Sequence, residues 1–568
     1  MSAGPPGCGG FGLKFSLPLD DFPVRRCRVP NRPAGCRGVS FRESNTETMR
    51  ETYYVTTPIY YVNDVPHIGH SYTTIAADVL ARYFRAAGRD VRFLTGTDEH
   101  GIKIVKAAAE RGMSPKELAD EVVVHFQDLW ADLNISYDDF IRTSEERHEK
   151  RVQAMVRHLV DRDEIYSGRY EGLYDESQEE FVTESVARDN DYKSHISGKP
   201  LVRYSEDAYF FRLGKWVPRL MEHVESHPEF ILPAARRNEV LSKLRQGVDD
   251  LCISRASEKL GGWGIPMPND PNHSVYVWID ALSNYYTALG WPDVGDAHDG
   301  DHTRYWPADV HLIGKDILWF HAVYWPCMLM ALDRPLPRCI FAHGWWTSEG
   351  KRMQKTLGNF VSRETIASIC REYSVDVYRY FLMRAMAFGA DGDFSRTALR
   401  KRYNNELANN IGNLLNRTLN MIEQYFGGKV PIPASVGAQE QPVLDAAEHL
   451  RDGATKLMEV CACHTYLDKV MDLVSATNRY VDTTAPFKLA KDESQRERLG
   501  TILYTCVEAV RIVLMYLSPL MPDTMAAGLA QINWKAPPGR TIEELASWGQ
   551  LPPGGQTQKG QPLFPRKL

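Results

Sequence analysis

The stretch YYVTTPIYYVNDVPHIGHSYTTIAADVLARYFRAAGRDVRFLTG, residues 53–96, decides the fold class of this chain. Its first residues, 53–61, are mostly β-branched or aromatic, a composition typical of a buried strand. After a turn that contains proline, apolar residues recur at helical spacing from Ile68 to Tyr83. Residues 91–96 predict a second strand. Strand, helix and strand in this order form a βαβ unit and predict a parallel sheet.

The same alternation returns later in the chain, and then the strands stop. Three further strands are predicted at residues 274–279, 309–314 and 339–346, with a helix over 317–332. Successive amphipathic segments from residue 397 onward predict a helical bundle. We therefore predict an α/β fold: a Rossmann-like parallel-sheet catalytic domain with an inserted connective module, followed by an all-α helical bundle. The predicted boundaries are 1–50 for a disordered extension, 51–164 and 236–396 for the two halves of the catalytic domain, 165–235 for the insertion, 397–535 for the bundle and 536–568 for an extended tail.

Composition excludes several classes of protein. Of 568 residues, 43% are hydrophobic and 25% are charged, as in globular proteins rather than disordered or fibrous ones. The 10 cysteines are too few for a disulfide scaffold and fit a reducing compartment. The longest nearly uncharged run, 317–332, is shorter than the ~20 apolar residues of a spanning helix, so we expect no membrane association. Because the net charge is −6, any nucleic acid must bind at local basic and aromatic patches.

Residues 1–50 differ from the rest of the chain. They are rich in Gly, Pro and Arg, and up to Arg42 the only acidic residues are Asp20 and Asp21. This composition is typical of an organellar transit peptide, so we expect a mitochondrial or plastid protein. A G-x-G-x-x-G match in this segment lacks the flanking strand and helix of a dinucleotide site and is not interpreted as one.

Two histidines stand in the first turn of the predicted helix. His67 and His70 are three residues apart, which places both imidazoles on one helical face beside the free N–H groups and the positive end of the helix dipole. Gly69 between them lets a ligand approach closely. Such a site suits a phosphate. No third ligand lies nearby in the sequence, so we expect no metal here. Taken alone, such a pair is more often two surface histidines near a helix cap than a ligand site.

The stretch PIYYVNDVPHIGH, residues 58–70, resembles the "HIGH" signature of class I aminoacyl-tRNA synthetases, specifically the methionyl enzymes of organellar or bacterial-like type. Four further blocks resemble the same family in the same order: TGTDEHGIKI (95–104), YVWIDALSNYY (276–286), IGKDILWFHAVYWPCML (313–329) and NIGNLLNR (410–417). The resemblance covers about residues 51 to 535. It implies activation of L-methionine with ATP and Mg²⁺ to methionyl-adenylate, and transfer of the methionyl group to tRNA(Met).

The second family signature, K-M-S-K-S, has a divergent counterpart in GKRMQKTLGN, residues 350–359. The matching positions are Arg352, Met353, Gln354, Lys355 and Thr356. The resemblance implies that Arg352 and Lys355 place positive charge on the β- and γ-phosphates as pyrophosphate leaves. Arginine is planar where lysine is a point charge. No G-x-x-x-x-G-K-[ST] pattern occurs, which disfavours a P-loop ATPase.

The resemblance assigns the other ligand-binding residues by position. It implies that ATP is bound by His67, Gly69, His70, Gly314, Lys315, Asp316, Met353 and Lys355. It implies a methionine pocket of Ile59, Tyr61, Trp278, Ala281, Tyr285, Ile317, His321 and Trp325, with Asp98 on the ammonium group. Asp98 follows a strand end, where ligands of parallel sheets bind. Ile317, His321 and Trp325 are spaced i, i+4, i+8 and are predicted to share one helical face.

The resemblance also bears on the anticodon and on zinc. It implies that Asn413, Arg417 and Phe487 read the CAU anticodon, with the Phe487 ring stacking on a base.

Many relatives carry C-x-x-C pairs that bind zinc in the insertion, but Tyr170–Val182 contains no cysteine, with Asp175 and Glu180 in the neighbourhood. Zinc prefers Cys and His ligands, so we predict no zinc. Cys461, Cys463 and His464 lie in a predicted helix and are expected to be ordinary buried residues.

Two alternatives remain open from the sequence. The divergent RMQKT pentad would also fit a catalytically weakened paralogue that binds tRNA without aminoacylating it. A class I synthetase for another apolar amino acid is the other alternative, although Trp278 and the segment with Ile317, His321 and Trp325 favour methionine. We expect a monomer.

Overall fold

The computed structural model describes residues 51–63, 65–177, 180–182, 184–297, 299–348, 350–353 and 360–567. The predicted extension 1–50 and the loop residues Gln354, Lys355 and Thr356 lie outside the described residues.

The predicted βαβ unit is present at the start of the described chain. Its first strand is not continuous over 53–61 as predicted, because Pro58 lacks an N–H donor and separates two shorter strands. The elements of this region are β1 (Thr52–Thr56), β2 (Tyr60–Tyr61), α1 (Ile68–Ala86), β3 (Asp90–Asp98), α2 (Ile102–Arg111), α3 (Pro115–Asp132), β4 (Asp139–Arg142) and α4 (Glu146–Asp161).

A long antiparallel hairpin forms the inserted module. Its elements, and those that follow it, are β5 (Ile165–Asp175), β6 (Glu180–Val182), α5 (Glu184–Asp189), β7 (Val202–Phe211), α6 (Leu213–Ser226), β8 (Ile231–Leu232), α7 (Ala234–Leu244), β9 (Leu251–Cys252), β10 (Ser254–Ala256), β11 (Pro266–Met267) and β12 (Asp270–Val275). β5 pairs with β6 and β7, and β9 returns to pair with β7. β8 lies within the stretch predicted as insertion, yet it pairs with the central sheet. The sheet of the insertion is therefore interrupted by a return to the catalytic domain.

The second half of the catalytic domain completes the central sheet. It consists of α8 (Val277–Thr287), α9 (His302–Tyr305), β13 (Val310–Gly314), α10 (Trp325–Ala331), β14 (Ile340–His343), β15 (Trp346–Ser348), β16 (Lys351–Arg352), α11 (Arg363–Tyr373), α12 (Val375–Arg384) and β17 (Gly392–Phe394). The central sheet has the order β2-β3-β1-β13-β14-β8, with β4 beside β3, and all its pairs are parallel. The predicted parallel-sheet fold is confirmed.

Two predictions in this half are wrong. The stretch 274–279 was expected to be one strand of the parallel sheet, but β12 ends at Val275, belongs to a small antiparallel sheet, and is followed directly by helix α8. The stretch 317–332 is not a regular α-helix either. It begins with a 3₁₀ turn at Lys315–Ile317 and contains a π-helical turn at Phe320–Tyr324 before α10.

The predicted helical bundle is present. It comprises α13 (Arg396–Arg402), a π-helical segment (Tyr403–Gly412), α14 (Asn413–Phe426), α15 (Gln441–Glu459), α16 (Cys463–Thr484), α17 (Pro486–Leu489), α18 (Arg496–Leu517), α19 (Pro522–Gln531) and α20 (Ile542–Leu545). The helical stretch Glu493–Leu517 has the length and composition of a membrane span, but its most apolar window is entirely buried. It packs against α14, α16 and α19 as the central helix of the bundle.

The C-terminal residues pack back onto the bundle rather than extending away from it as predicted. The Phe564 ring is buried and meets the Tyr403 ring edge-on. Asn404 exchanges two hydrogen bonds with the backbone of Lys567, and Thr557 bonds to the Gly428 carbonyl. Scattered single contacts of this kind leave no periodic signature in the sequence.

A buried arginine joins the bundle to the catalytic domain. Arg379 of α12 is fully buried and donates to Asp78 of α1 at 2.6 Å. The same guanidinium donates to the carbonyl groups of Pro519 and Leu520, in the turn between α18 and α19. Asp78 also accepts from the Ser136 backbone. Helix α1, the α12 helix and the bundle are therefore held at one buried charged point.

Candidate active site

The two histidines of the N-terminal motif form a reciprocal cap on α1. His67 is the N-cap residue, and its Nδ1 accepts a hydrogen bond from the Gly69 N–H at 3.0 Å. His70 Nδ1 accepts from the His67 N–H at 3.2 Å, and the two ring centroids are 3.9 Å apart. A neutral imidazole that accepts at Nδ1 carries its proton on Nε2. The backbone therefore fixes both neutral rings in the tautomer that presents an Nε2–H donor.

The electrostatics of the cap keep His70 neutral. Burial, together with the neighbouring His67, holds the pKa of His70 well below its ordinary value. Gly69 is required by the same geometry, because a Cβ atom at this position would lie 2.9 Å from Cε1 of the His67 ring. Two Nε2–H donors and the N-terminus of a helix suit an anionic oxygen, as the sequence predicted.

The loop of residues 350–359, here called the lysine loop, is described only at its two flanks. Before it, β15 and β16 form a short hairpin that leads to the half-buried Met353. After it, the Phe360 ring lies 5.1 Å from the His67 ring, and the Ile68 N–H donates to the Val361 carbonyl at 3.2 Å. Lys355 and the Arg352 side chain lie outside the described part of the chain, so their role stays a prediction. The segment that follows the loop nevertheless contacts the histidine cap directly.

The predicted ATP residues after β13 are held by a carboxylate that sequence analysis missed. Lys315 donates to both carboxylate oxygens of Asp391 at 2.7 Å and lies 4.4 Å from the centroid of the Trp345 ring. Asp391 also accepts from the Trp345 backbone N–H at 2.8 Å, and the indole N–H of Trp345 donates to Asp316 at 3.1 Å. At Gly314 a Cβ atom would lie 2.4 Å from an oxygen of Asp316. The turn after β13 is thus fixed by residues distant in sequence.

The predicted methionine residues lie on adjoining elements around one region. Asp98 is buried at the end of β3 and is paired in register with Tyr61 of β2. The half-buried hydrophobic residues Ile59, Tyr61, Trp278 and Ile317 pack against the same core cluster. The Trp278 ring stacks on the Phe320 ring with centroids 3.7 Å apart. Ala281 is buried in the following turn of α8.

A chain of neutral hydrogen bonds forms the floor of this region. His321 Nδ1 donates to the Ile317 carbonyl at 2.9 Å, so its Nε2 accepts from the Tyr285 hydroxyl at 2.7 Å. Burial lowers the pKa of His321 to about 4, which keeps the ring neutral. Behind it, the Trp325 indole donates to His311 Nε2 at 3.3 Å, and His311 Nδ1 lies 2.7 Å from the Thr56 hydroxyl. His311 was not predicted, since it lies inside a strand with no local motif.

The π-helical turn alters the predicted face of Ile317, His321 and Trp325. A spacing of i, i+4, i+8 shares one face only in a regular α-helix, whereas a π turn has i→i+5 bonding. His321 and Trp325 still both reach Tyr285, with ring centroids at 5.7 and 6.2 Å. Trp325 is fully buried behind Tyr285, while Ile317 remains half-buried.

In the insertion, the turn within the cysteine-free stretch 170–182 is held by hydrogen bonds. Asp175 accepts from the Ser177 N–H at 2.8 Å, and the Ser177 hydroxyl bonds to those of Ser194 and Ser197 at 3.0 and 2.8 Å. The side chain of Glu180 is not among those described. Across the described ranges, no group of three or more His, Cys, Asp or Glu residues could hold a metal ion. Cys461 and Cys463 are buried, and burial raises the pKa of Cys463 to about 12.

The predicted anticodon residues lie at one end of the bundle helices. Asn413 is exposed in the first turn of α14, and Arg417 one turn later forms an ion pair with Asp482 of α16 at 3.2 Å. Phe487 follows five residues after Asp482 in α17 and is 49% exposed. An exposed aromatic ring is suited to stacking on a base of a single-stranded loop.

The family described as "tRNA synthetases class I (M)" matches residues 53–190 and 189–419 of this chain. The chain belongs to this family of class I tRNA synthetases. The methionine--tRNA ligase of Caldanaerobacter subterraneus subsp. tengcongensis is 46% identical over 523 residues, covering 91% of this chain and 79% of that protein. That of Halalkalibacterium halodurans is 46% identical over 530 residues, covering 91% and 78%. The family prediction made from the sequence blocks is confirmed.

Solved structures of the synthetase family have the same fold. The Mycobacterium tuberculosis methionyl-tRNA synthetase in complex with methionyl-adenylate matches with a TM-score of 0.84 at 38% identity, covering 91% of this chain and 100% of that one. Its apo form matches with a TM-score of 0.80 at 36% identity, covering 92% and 100%. This synthetase is therefore a ligase of the methionine--tRNA ligase type. These relatives are bacterial and do not support the organellar part of the prediction.

Three buried histidines should make this synthetase sensitive to acid. Burial holds the pKa of His311 well below its ordinary value, lowers that of His321 to about 4, and lowers that of His343. The unfolded chain takes up protons near pH 6.5 that the folded protein does not. The stability from these groups is therefore complete above about pH 6.5 and is lost as the pH falls toward 4, by up to ~1.4 kcal/mol per pH unit for each histidine.

Urea unfolding at pH 7.5, 6.5 and 5.5 measures this loss. We expect the free energy of unfolding to be nearly constant between the first two values and to fall steeply between the last two. Replacing the exposed His158 with asparagine is the control and should leave the pH dependence unchanged. A free energy of unfolding that stays constant down to pH 5.5 would contradict the prediction.

Proposed function

We propose that this synthetase activates L-methionine with ATP to methionyl-adenylate and transfers the methionyl group to tRNA(Met). The observation that carries the proposal is the histidine cap of α1, in which both Nδ1 atoms accept backbone hydrogen bonds and both rings present Nε2–H donors. The names of the relatives and of the solved structures support the same activity.

In the first step the methionine carboxylate attacks the α-phosphate and pyrophosphate leaves. No covalent enzyme intermediate is needed, so catalysis rests on positioning and on electrostatic stabilisation of phosphoryl charge. We assign His67 and His70 to the phosphates from the α1 side, and Lys355 and Arg352 to the departing pyrophosphate from the loop. ATP is taken as its Mg²⁺ complex, in which phosphates and water supply most ligands.

Methionine selectivity is proposed to come from an apolar pocket with a neutral polar floor. Trp278, Ile317 and Tyr61 offer aromatic and aliphatic contacts to a polarizable thioether. The Tyr285–His321 pair satisfies its own hydrogen bonds and stays uncharged, so it presents no unpaired donor or charge to an apolar side chain. Asp98 is assigned to the ammonium group.

Methionine-dependent ATP–pyrophosphate exchange tests the proposal. We expect exchange with methionine and little with leucine, isoleucine or valine. A weakened tRNA-binding paralogue would show no exchange with any amino acid while it retained tRNA binding. A synthetase for another apolar amino acid would exchange best with that amino acid. Either result would overturn the proposal.

The anticodon assignment predicts a selective loss in one variant. Replacing Phe487 with alanine should lower kcat/KM for tRNA(Met) by roughly 10-fold or more, because a stacking contact is worth about 1–3 kcal/mol per base. The ATP–pyrophosphate exchange rate should not change. Aminoacylation with a tRNA(Met) transcript measures the loss. Replacing Tyr192, an exposed aromatic of the insertion, with alanine is the matched control. Equal losses in both variants, or a loss of exchange, would contradict the assignment.

We propose that the inserted module folds without zinc, with the hydrogen bonds of Asp175, Ser177, Ser194 and Ser197 closing its turn. Dialysis against a strong chelator, followed by addition of Mg²⁺, should leave the melting temperature within about 1 °C and the exchange rate unchanged, since a structural zinc site contributes several kcal/mol to folding. A melting temperature that falls on chelation and recovers with zinc would overturn this.

Compartment and assembly are proposals from the sequence. The Arg-rich, acid-poor residues 1–50 support import into a mitochondrion or plastid. Imaging a fusion of residues 1–50 to a fluorescent reporter tests import, and a diffuse cytosolic signal would exclude it. We also propose a monomer that does not associate with membranes. Sedimentation analysis, with and without lipid vesicles, tests both points.

A further inference from the structure

A fully buried carboxylate connects two imidazoles beside the methionine pocket. Asp280 of α8 is 1% exposed, and its Oδ2 lies 2.7 Å from His100 Nδ1. Its Oδ1 lies 2.7 Å from Nε2 of His148 of α4. His148 Nδ1 in turn lies 2.7 Å from the hydroxyl of Thr287, at the end of α8. None of these residues belongs to the predicted methionine or ATP set.

The position of this network relates two parts of the pocket. His100 follows Asp98 by two residues in the turn between β3 and α2. Asp280 lies between Trp278 and Ala281 on α8, directly beside the latter. The His100–Asp280 contact therefore spans the carboxylate assigned to the ammonium group and the helix assigned to the thioether. His148 fixes α8 at both Asp280 and Thr287, which lie two helical turns apart on one face of α8.

The charges around the network favour an ion pair between His100 and Asp280. Burial would raise the pKa of Asp280, but the two imidazoles outweigh burial and hold this pKa below its usual value. Burial would lower the pKa of His100, but Asp280 outweighs burial and raises it. Glu149 of α4 lies 3.7 Å from His100 Nε2, while the neighbouring Glu99 is already paired with Arg142 at 2.7 Å. A buried ion pair is geometrically strict, because moving either partner exposes a charge to an apolar surrounding.

The turn of His100 is also fixed by the half-buried Trp263 and by Thr143. The indole N–H of Trp263 donates to the Glu99 carbonyl at 2.6 Å, and its ring meets the His100 ring at a centroid distance of 5.2 Å. The Glu99 backbone N–H donates to the Thr143 hydroxyl at 2.9 Å. The Asp98–His100 turn is thus rigid, and the ion pair transmits its position to α8.

We propose that the His100–Asp280 pair sets the distance between the ammonium site at Asp98 and the side-chain pocket on α8, and so sets the length of the amino acid that is accepted. This inference rests on the proposed methionine activation. His100 and Asp280 are positioning residues, acting through Asp98 and Trp278 rather than on the substrate. A pocket of fixed length discriminates by roughly 10–200-fold per methylene, and a loosened one discriminates less.

Replacing Asp280 with asparagine keeps the volume and removes the charge. In ATP–pyrophosphate exchange, we expect KM for methionine to rise by ~10-fold or more, with kcat at saturating methionine within ~3-fold and KM for ATP unchanged. Discrimination against homocysteine, one methyl group smaller, and ethionine, one methylene longer, should fall by ~10-fold. His100→Gln should give the same pattern, and the double variant should be no worse than either single one.

Asp309→Asn is the matched control. Asp309 is a mostly buried carboxylate that directly precedes β13, so it lies at the end of the strand opposite to the predicted ATP residues. It accepts a hydrogen bond from the Tyr54 N–H at 2.7 Å. The Asp309→Asn variant should have a lower melting temperature, but its relative use of methionine, homocysteine and ethionine should not change. The inference is overturned if Asp280→Asn and His100→Gln leave selectivity at the wild-type value, if Asp309→Asn shifts it equally, or if KM for ATP rises in parallel with KM for methionine. If Asp280→Asn does not fold, His100→Gln decides between these outcomes. A wild-type enzyme without methionine-dependent exchange would instead refute the proposed function.

Discussion

Replacing His67 with asparagine should slow methionyl-adenylate formation by ~100-fold or more while helix α1 stays intact. Asparagine is among the best N-cap residues, and its side-chain oxygen can accept the Gly69 N–H in place of Nδ1. What it lacks is the Nε2–H donor that the tautomer of His67 presents. The same argument applies to His70→Asn, which retains an acceptor for the His67 N–H. The lost donor is one that acts on charge developing in the transition state, so kcat should fall more than KM rises.

Single-turnover formation of methionyl-adenylate measures this effect, and the melting temperature checks the helix. Ser114→Asn is the matched control, because the exposed Ser114 caps helix α3 through a similar reciprocal box. It should change the rate by less than about twofold, as expected for a cap-conserving change away from the site. A His67→Asn enzyme with an unchanged rate, or one that loses activity only in proportion to its loss of folded protein, would remove the histidines from the proposed chemistry.

Lys355→Ala should slow adenylate formation by ~100-fold or more and leave methionine binding nearly intact. The reason is that a cation on the β- and γ-phosphates is needed only as pyrophosphate departs, whereas methionine contacts a different part of the site. Phe360, five residues after Lys355 in the sequence, contacts the His67 ring, which supports a role for this loop at the cap. The divergent neighbours Arg352 and Gln354 make this variant the decisive one for the lysine loop.

Stopped-flow or quench measurements of adenylate formation, paired with equilibrium methionine binding, separate the two effects. Lys351→Ala is the matched control, since Lys351 is an exposed lysine of the β16 strand in the same hairpin. Lys351→Ala should leave the rate within about twofold, because an exposed surface charge contributes little. Equal weakening of methionine binding in Lys355→Ala would contradict the assigned role.

The parts of the fold that follow from local pattern were predictable. Helix α1 and strand β3 have clear periodicity, and the bundle helices have apolar stripes. The run SVYVWI, residues 274–279, was not predictable as a strand followed by a helix, because a short apolar run fits either element until its neighbours are known. The π-helical turn at Phe320–Tyr324 likewise has no signature in residue spacing.

The site was predictable where motifs carry it and not where the fold brings distant residues together. His67 and His70 are three residues apart, so their proximity follows from helix geometry. Lys315 and Asp391 are 76 residues apart, and His100 and Asp280 are 180 apart. Such pairs are brought together only by the order of the strands in the folded sheet, so the spacing of residues in the sequence does not reveal them. The family resemblance supplied roles for single residues, but it did not supply the partners that orient them.

The buried contact between Arg379 and Asp78 has a consequence for communication along the molecule. If the bundle were to swing about the turn at Pro519 and Leu520, a guanidinium would be left without its partners in a dry interior, at a cost of about 3–5 kcal/mol. We therefore expect the bundle to stay rigidly attached to α1 rather than to rotate about a hinge. A correct anticodon, if it binds at Phe487 as proposed, would have to be sensed at the adenylate through small displacements of α1 or through the bound tRNA itself.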